Sequence, residues 1–325
     1  MGKVAFIFPG QGAQFVGMAG QIIQDCPAGR ALFSQADREL QFSLSALCNE
    51  GPAATLNATE NTQPALLATS VALLRGLEQQ PDVVAGHSLG EYSACVAAGV
   101  LSFEEALHLV RARGLFMQEA MPDGTGAMAA LLGGDPDEVT RLVSSVGEAV
   151  QVANFNAPGQ LVVAGTSAGI EGLTPELEAI GVRVVRLAVS AAFHSSFMQS
   201  AAERLAVKLE SAQIRDAQAP VYVNVDAKPL RTAPELREAL RRQVCSAVNW
   251  IESVKCMRRD GVELFVEIGP SKVLSRLVRR IDPEARCFQV RTPQDFAAAR
   301  LAIAAARADV KEQAPAASAA IGSRG

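Results

Sequence analysis

Ser88 stands in Gly86-His87-Ser88-Leu89-Gly90, behind the apolar run Val83-Val84-Ala85 and ahead of a small-residue helical pattern from Glu91 to Ala98. A serine that is to attack a carbonyl must project from a sharp strand-to-helix turn, and flanking glycines let that turn tighten. The same turn directs backbone N–H groups at the helix start, Leu89 first among them, toward the place where an oxyanion would form. The motif points to acyl chemistry at a nucleophile elbow. An ordinary glycine turn is the alternative, and the strand before and helix after it weigh against that.

A serine hydroxyl is too weakly acidic to react unaided, so a base must lie within hydrogen-bond reach. The sequence offers three histidines. His87 adjoins Ser88 on the turn, points away from it, and reads as a bracing residue. His108 follows Glu104 by four residues in a helical pattern over Phe103 to Met121, the spacing of a surface ion pair. His194, in Val189-Ser190-Ala191-Ala192-Phe193-His194-Ser195-Ser196, remains as the base, with a core histidine as the bland alternative. In the helix of His108, Arg113 shares an apolar face with Leu109 and Phe116, whereas Arg111 points to solvent. A guanidinium on an apolar face requires an anion. It reads equally as a structurally paired arginine and as the clamp for a substrate carboxylate or phosphate.

Elements that could hold these groups follow the α/β pattern. Strand-like Val4 to Phe8 leads into the turn Pro9-Gly10-Gln11-Gly12, helical patterns follow, and a second strand enters Ser88, as in a mainly parallel sheet. Ligands bind at the carboxyl ends of such strands, so these two distant turns can share one site. From Ala127 the pattern becomes strand 127–132, helix 136–146, strands 150–155 and 160–165, helix 173–180 and strand 182–189. That order, βαββαβ, is ferredoxin-like. The expected organisation is a large domain of residues 1–124 and 191–306, an inserted small domain of 125–190, and a disordered tail over 307–325.

The sequence has 325 residues, 49% of them hydrophobic, and a formal net charge of −4, which argues against bulk attraction to nucleic acid or an anionic membrane. Its six cysteines include no Cys-x-x-Cys pair, and with no signal-like or membrane-spanning stretch they read as reduced thiols of a cytoplasmic protein.

Taken together, Phe8-Pro9-Gly10-Gln11-Gly12-Ala13-Gln14, Gly86-His87-Ser88-Leu89-Gly90-Glu91-Tyr92, Arg113-Gly114 and Phe193-His194-Ser195 resemble the malonyl-CoA:acyl carrier protein transacylases over residues 3 to 290. Asn154-Phe155-Asn156-Ala157-Pro158-Gly159-Gln160 and Glu267-Ile268-Gly269-Pro270 add to the likeness. The resemblance implies an α/β-hydrolase-like large domain with a ferredoxin-like insert, and malonyl transfer through an acyl-serine without metal or redox cofactor. It makes Ser88 the nucleophile, His194 the base, the amides of Gln11 and Leu89 the oxyanion hole, and Arg113 the malonyl clamp. Phe193 resembles the malonyl-selecting members, and Gln63 falls on a family motif that lines the pocket. Asn249, before Trp250, occupies the position whose backbone carbonyl orients the histidine; a helix cap is its alternative reading. The implied partner is an acidic acyl carrier protein, and the implied state a monomer. Basic docking candidates are Arg241-Arg242, Lys255 with Arg258-Arg259, and Lys272, Arg276 and Arg279-Arg280. A trans-acting polyketide acyltransferase, a thioester hydrolase and a non-catalytic carrier-binding scaffold stand as rivals.

Overall fold

A computed structural model describes residues 2–122 and 124–308. The described strands are β1 (Lys3–Phe8), β2 (Val83–Gly86), β3 (Gly126–Leu132), β4 (Val150–Ala157), β5 (Gln160–Thr166), β6 (Arg183–Arg186), β7 (Val221–Val223), β8 (Lys228–Leu230), β9 (Val262–Ile268) and β10 (Arg286–Val290). They form a six-stranded sheet, ordered β10-β9-β1-β2-β7-β8, and a four-stranded sheet, ordered β4-β5-β3-β6.

The larger sheet is parallel from β10 to β7, and only the edge strand β8 runs antiparallel. Its central strand β1 is apolar at every position from Val4 to Phe8 because both faces are covered. Val4, Phe6 and Phe8 enter one core, which includes the helix Thr59–Leu77. Ala5 and Ile7 enter another with Trp250 and Val254. β1 and β2 pair in register to their last residues, Phe8 opposite Gly86. The turn after β1 and the elbow after β2 therefore emerge side by side at the carboxyl edge, where an α/β sheet places ligands.

The smaller sheet is antiparallel throughout, and the helices Pro136–Ser145 and Ser167–Ala179 contribute Val139, Val143, Leu173 and Leu177 to its core. Asp135 caps the first of these helices by accepting the N–H groups of Asp137 and Glu138, both at 3.0 Å. The second begins six residues before the predicted Leu173, because Thr166 caps it through the Gly169 N–H.

The strand predicted over 182–189 ends at Arg186, beyond which only the Leu187 N–H still reaches β3, at the Met128 carbonyl. The next residues instead lead out to the site. Arg307 and Ala308, expected in the tail, complete the helix Phe296–Ala308; Arg307 donates to the Gln80 carbonyl and pairs with Asp82. The rest of the expected tail lies outside the described residues. Among the described residues no helix is long and apolar enough to cross a membrane.

Candidate active site

Ser88 has a φ of +52°, a left-handed conformation that costs a residue with a Cβ about 1–2 kcal/mol. Packing enforces it. A Cβ on Gly86 would stand 1.9 Å from the Gly90 carbonyl carbon, and one on Gly90 would stand 2.0 Å from the Phe8 carbonyl oxygen. Only glycine fits at either end of the elbow. Asn224, just after β7, clamps the turn: its Oδ1 accepts the Ser88 N–H at 2.7 Å and its Nδ2 donates to the Gly86 carbonyl at 2.6 Å.

His194, itself at a φ of +60°, places Nε2 2.6 Å from Ser88 Oγ. Its Nδ1 lies 2.9 Å from the Gln243 carbonyl and 3.2 Å from that of Ser246. Two carbonyls can only accept, so Nδ1 carries the proton and Nε2 is left to accept the serine proton. Burial, and then the neighbouring Arg113 cation, push the imidazole down to about 3, which keeps it neutral at pH 7.

Arg113 is 1% exposed. It lies on the buried stripe Ala106, Val110, Arg113, Met117 of the helix Phe103–Glu119, which Ser102 caps through the Glu105 N–H. One Nη donates to Gln63 Oε1 at 2.8 Å; the other donates to Gln243 Oε1 at 3.0 Å and Ser88 Oγ at 3.2 Å. Among the described residues its Nε has no partner and no carboxylate lies within ion-pairing distance of it. A buried cation held directly only by neutral amides and a hydroxyl has no anion in contact with it.

Ser88, His194 and Arg113 open into one cavity of about 110 Å³, which Gln11, Gln63, Leu89 and Phe193 also line. Met117, Met128, Leu187 and Val189 supply its apolar wall. The amide N–H groups of Gln11 and Leu89 have no acceptor among the described residues. The cavity adjoins a groove of about 280 Å³ that shares Gln11, His87, Asn154 and Leu187.

His87 is a bracing residue: its Nε2 bonds Asn156 Oδ1 at 2.7 Å, and its ring tilts against Trp250. His108 pairs with Glu39 at 3.2 Å, across to a neighbouring helix rather than within its own. Arg111 is half-buried instead of solvated; it donates to the Glu60 carbonyl and Asn61 and packs over Phe42.

Asn249 is not the histidine's partner. The orienting carbonyls belong to Gln243 and Ser246, where the helix Ala233–Gln243 ends and leaves acceptors unspent. The Asn249 side chain bonds the Val225 carbonyl at 2.9 Å, and its own carbonyl accepts from Ser253 Oγ within the next helix.

Gln243 was the main residue missed: one side chain joins Arg113 to the Ser88 carbonyl, at 3.0 Å each, and its backbone holds His194. A signal existed, since Gln243 continues the buried stripe Leu236, Ala239, Leu240 as its polar member. Asn224 carries no such mark.

A strained serine bonded to a neutral histidine, beside unspent amides and a buried cation, defines a centre for acyl transfer through a serine ester. Residues 5–292 match the acyl transferase domain family. The chain is 46% identical over 302 residues to the malonyl CoA-acyl carrier protein transacylase of Bacillus subtilis, covering 90% of this chain and 95% of that one. Identity to the Escherichia coli protein of the same name is 43% over 306 residues, 92% of this chain and 99% of that one. Among solved structures, the acyl-carrier-protein S-malonyltransferase of Burkholderia pseudomallei superposes with a TM-score of 0.89 at 40% identity, covering 91% of this chain and 99% of that one. A malonyl-transacylase solved with a type II polyketide synthase acyl-carrier protein gives a TM-score of 0.89 at 41% identity, covering 91% and 98%. The chain belongs to the malonyl CoA-acyl carrier protein transacylase family of acyl transferases.

Proposed function

We propose that this protein moves the malonyl group from malonyl-CoA to the phosphopantetheine thiol of an acyl carrier protein, loading extender units for fatty acid synthesis. The observation that carries the reading is Arg113, a buried cation without a carboxylate partner that donates to Ser88 Oγ at 3.2 Å. The malonyl carboxylate supplies the direct ion contact and takes a bidentate place on the guanidinium beside Gln63.

As Ser88 Oγ attacks the thioester carbonyl, its proton passes to His194 Nε2. The oxyanion accepts the N–H groups of Gln11 and Leu89. Collapse breaks the C–S bond, and His194 returns the proton to the departing CoA thiolate. The carrier thiol then gives its proton to His194 and attacks the malonyl ester, and Ser88 recovers its hydrogen as the product thioester leaves. Every proton and electron pair is accounted for by serine, histidine and the two thiols, so the sequence of steps calls for no metal or redox group. Phe193 and the methionines narrow the acyl pocket.

The six-stranded sheet reads as α/β-hydrolase-like, and the antiparallel sheet, whose strands stand in the order second, third, first, fourth, as a ferredoxin-like insert. Six unpaired cysteines support a reducing, cytoplasmic setting. For the carrier protein, the helix Val273–Ile281 is the best docking element. Arg241, Arg242, Lys255 and Arg258 are each neutralised by an acidic neighbour. Lys272, Arg276, Arg279 and Arg280 have no carboxylate partner among the described residues, while Val273, Leu274 and Leu277 of the same helix line the groove leading to Ser88.

Intact-mass spectrometry tests the reading directly. The protein is mixed with malonyl-CoA or acetyl-CoA and then with holo carrier protein, with Ser88→Ala as control. A malonyl adduct that requires Ser88 and moves to the carrier thiol is the expected result. An adduct lost only to water makes the protein a hydrolase, and no adduct refutes acyl transfer from these donors.

A further inference from the structure

Glu91 follows the elbow and is fully buried in the first turn of the helix Gly90–Ala97, yet the steps above give it no task. Its Oε2 accepts the Asn224 N–H at 2.7 Å, and its Oε1 has no hydrogen-bond partner among the described residues. Asn224 in turn holds the Ser88 N–H, and Gln243, which bonds Arg113, also reaches Asn224 Oδ1 at 3.5 Å. A single buried network thus connects an anion at Glu91 with the cation at Arg113. Tyr92, the next residue along, has its ring 5.7 Å from that guanidinium.

We infer that Glu91 is a specificity-tuning residue: it is the buried anion that balances Arg113 in the free enzyme and thereby limits how tightly the site holds an acyl group bearing a carboxylate. The inference rests on the assignment of the malonyl carboxylate to Arg113. Burying two charges of opposite sign costs far less than burying one, so Glu91 makes an otherwise uncompensated guanidinium tolerable. The malonyl carboxylate then brings a second anion into a neutral site, and its attraction to Arg113 is offset by repulsion from Glu91. An acetyl group carries no charge and does not register Glu91. Burial pushes the Glu91 carboxyl up to about 7, against the opposing pull of the Asn224 amide, Gln243 and Arg113. The anionic form therefore prevails at about pH 8.5, the condition chosen for the test.

The test compares second-order rate constants for acylation of Ser88 by malonyl-CoA and by acetyl-CoA, read as CoA release. A displaced serine slows both donors alike, so their ratio isolates the carboxylate site. Glu91→Gln keeps the shape and an acceptor for the Asn224 N–H but removes the charge, and the malonyl-to-acetyl ratio should rise about threefold or more. An unchanged or lower ratio overturns the inference. Should that variant fail to fold, Asn224→Asp decides, because it adds an anion to the same network while still accepting the Ser88 N–H. There the ratio should fall by about threefold or more, and an unmoved ratio overturns the inference. Failure of the underlying assignment is separately visible, since Arg113→Ala would then leave the ratio of the otherwise unmodified protein unchanged.

Discussion

Replacing Arg113 with alanine removes a side chain that is 1% exposed and that donates to Gln63, Gln243 and Ser88. For malonyl-CoA the loss is a charge-assisted, two-pronged contact on a buried guanidinium, worth on the order of 2–4 kcal/mol. At about 1.4 kcal/mol per tenfold, kcat/KM for malonyl transfer should fall about 30- to 1,000-fold. Acetyl-CoA has no carboxylate to lose; only the contact at Ser88 Oγ disappears, and its rate should stay within about threefold. The side-chain oxygens of Gln63 and Gln243 would lose their donor, at about 1–3 kcal/mol of stability each, partly offset by removal of a buried charge. Rates should therefore be normalised to the fraction of Ser88 titrated by a serine-reactive probe. The assay is acylation by each donor followed as CoA release, with Arg113→Lys, which keeps the charge without the planar fork, expected between the two extremes. An unchanged malonyl-to-acetyl preference in Arg113→Ala would show that the guanidinium does not read the substrate, and the argument from its buried, unpaired charge would fail.

The pH profile of acylation should keep its full rate well below pH 6.5, because burial and Arg113 hold His194 down to about 3; an acid limb at the ordinary histidine value would refute this. The same shift bears on stability: the unfolded chain binds the extra proton first, so this contribution is whole above 6.5 and drains away as pH falls toward 3. His194→Ala should flatten that part of the acid-unfolding curve measured by thermal melts. Gln243→Ala should cut malonyl kcat/KM about tenfold or more by freeing Arg113, whereas Asn249→Ala should lower stability by about 1 kcal/mol and leave kcat/KM unchanged. Equal effects of the two on rate would contradict the role of the Gln243 side chain in holding Arg113. Reversing Arg276 and Arg279 to glutamate should raise KM for carrier protein several-fold with KM for malonyl-CoA unchanged; equal effects on both substrates would remove this helix from the docking surface.

Much of the fold and site was legible in residue order because the constraints were local. The elbow showed as glycines flanking Ser88 since the backbone approaches there within distances that exclude a Cβ, and close approach requires one residue type wherever it occurs. The strands of the antiparallel sheet showed through their turn signals and apolar periods. Arg113 showed as a charge on an apolar stripe. The sequence by itself singled out the serine at the elbow, one histidine among three, and the class of sheet that carries them.

Tertiary structure decided who holds whom. The histidine's partner is a pair of backbone carbonyls at a helix end, and a carbonyl leaves no residue type to recognise, so the sequence points to Asn249 for a role that Gln243 and Ser246 fill. Asn224 and Glu91 acquire their meaning from pairings 136 and 133 residues apart, contacts that exist only once β7 lies beside β2. Side-chain type is written locally and can be read along the chain, but partnership between buried polar groups is a property of the packed interior, where each group must be satisfied by whatever the fold brings to it.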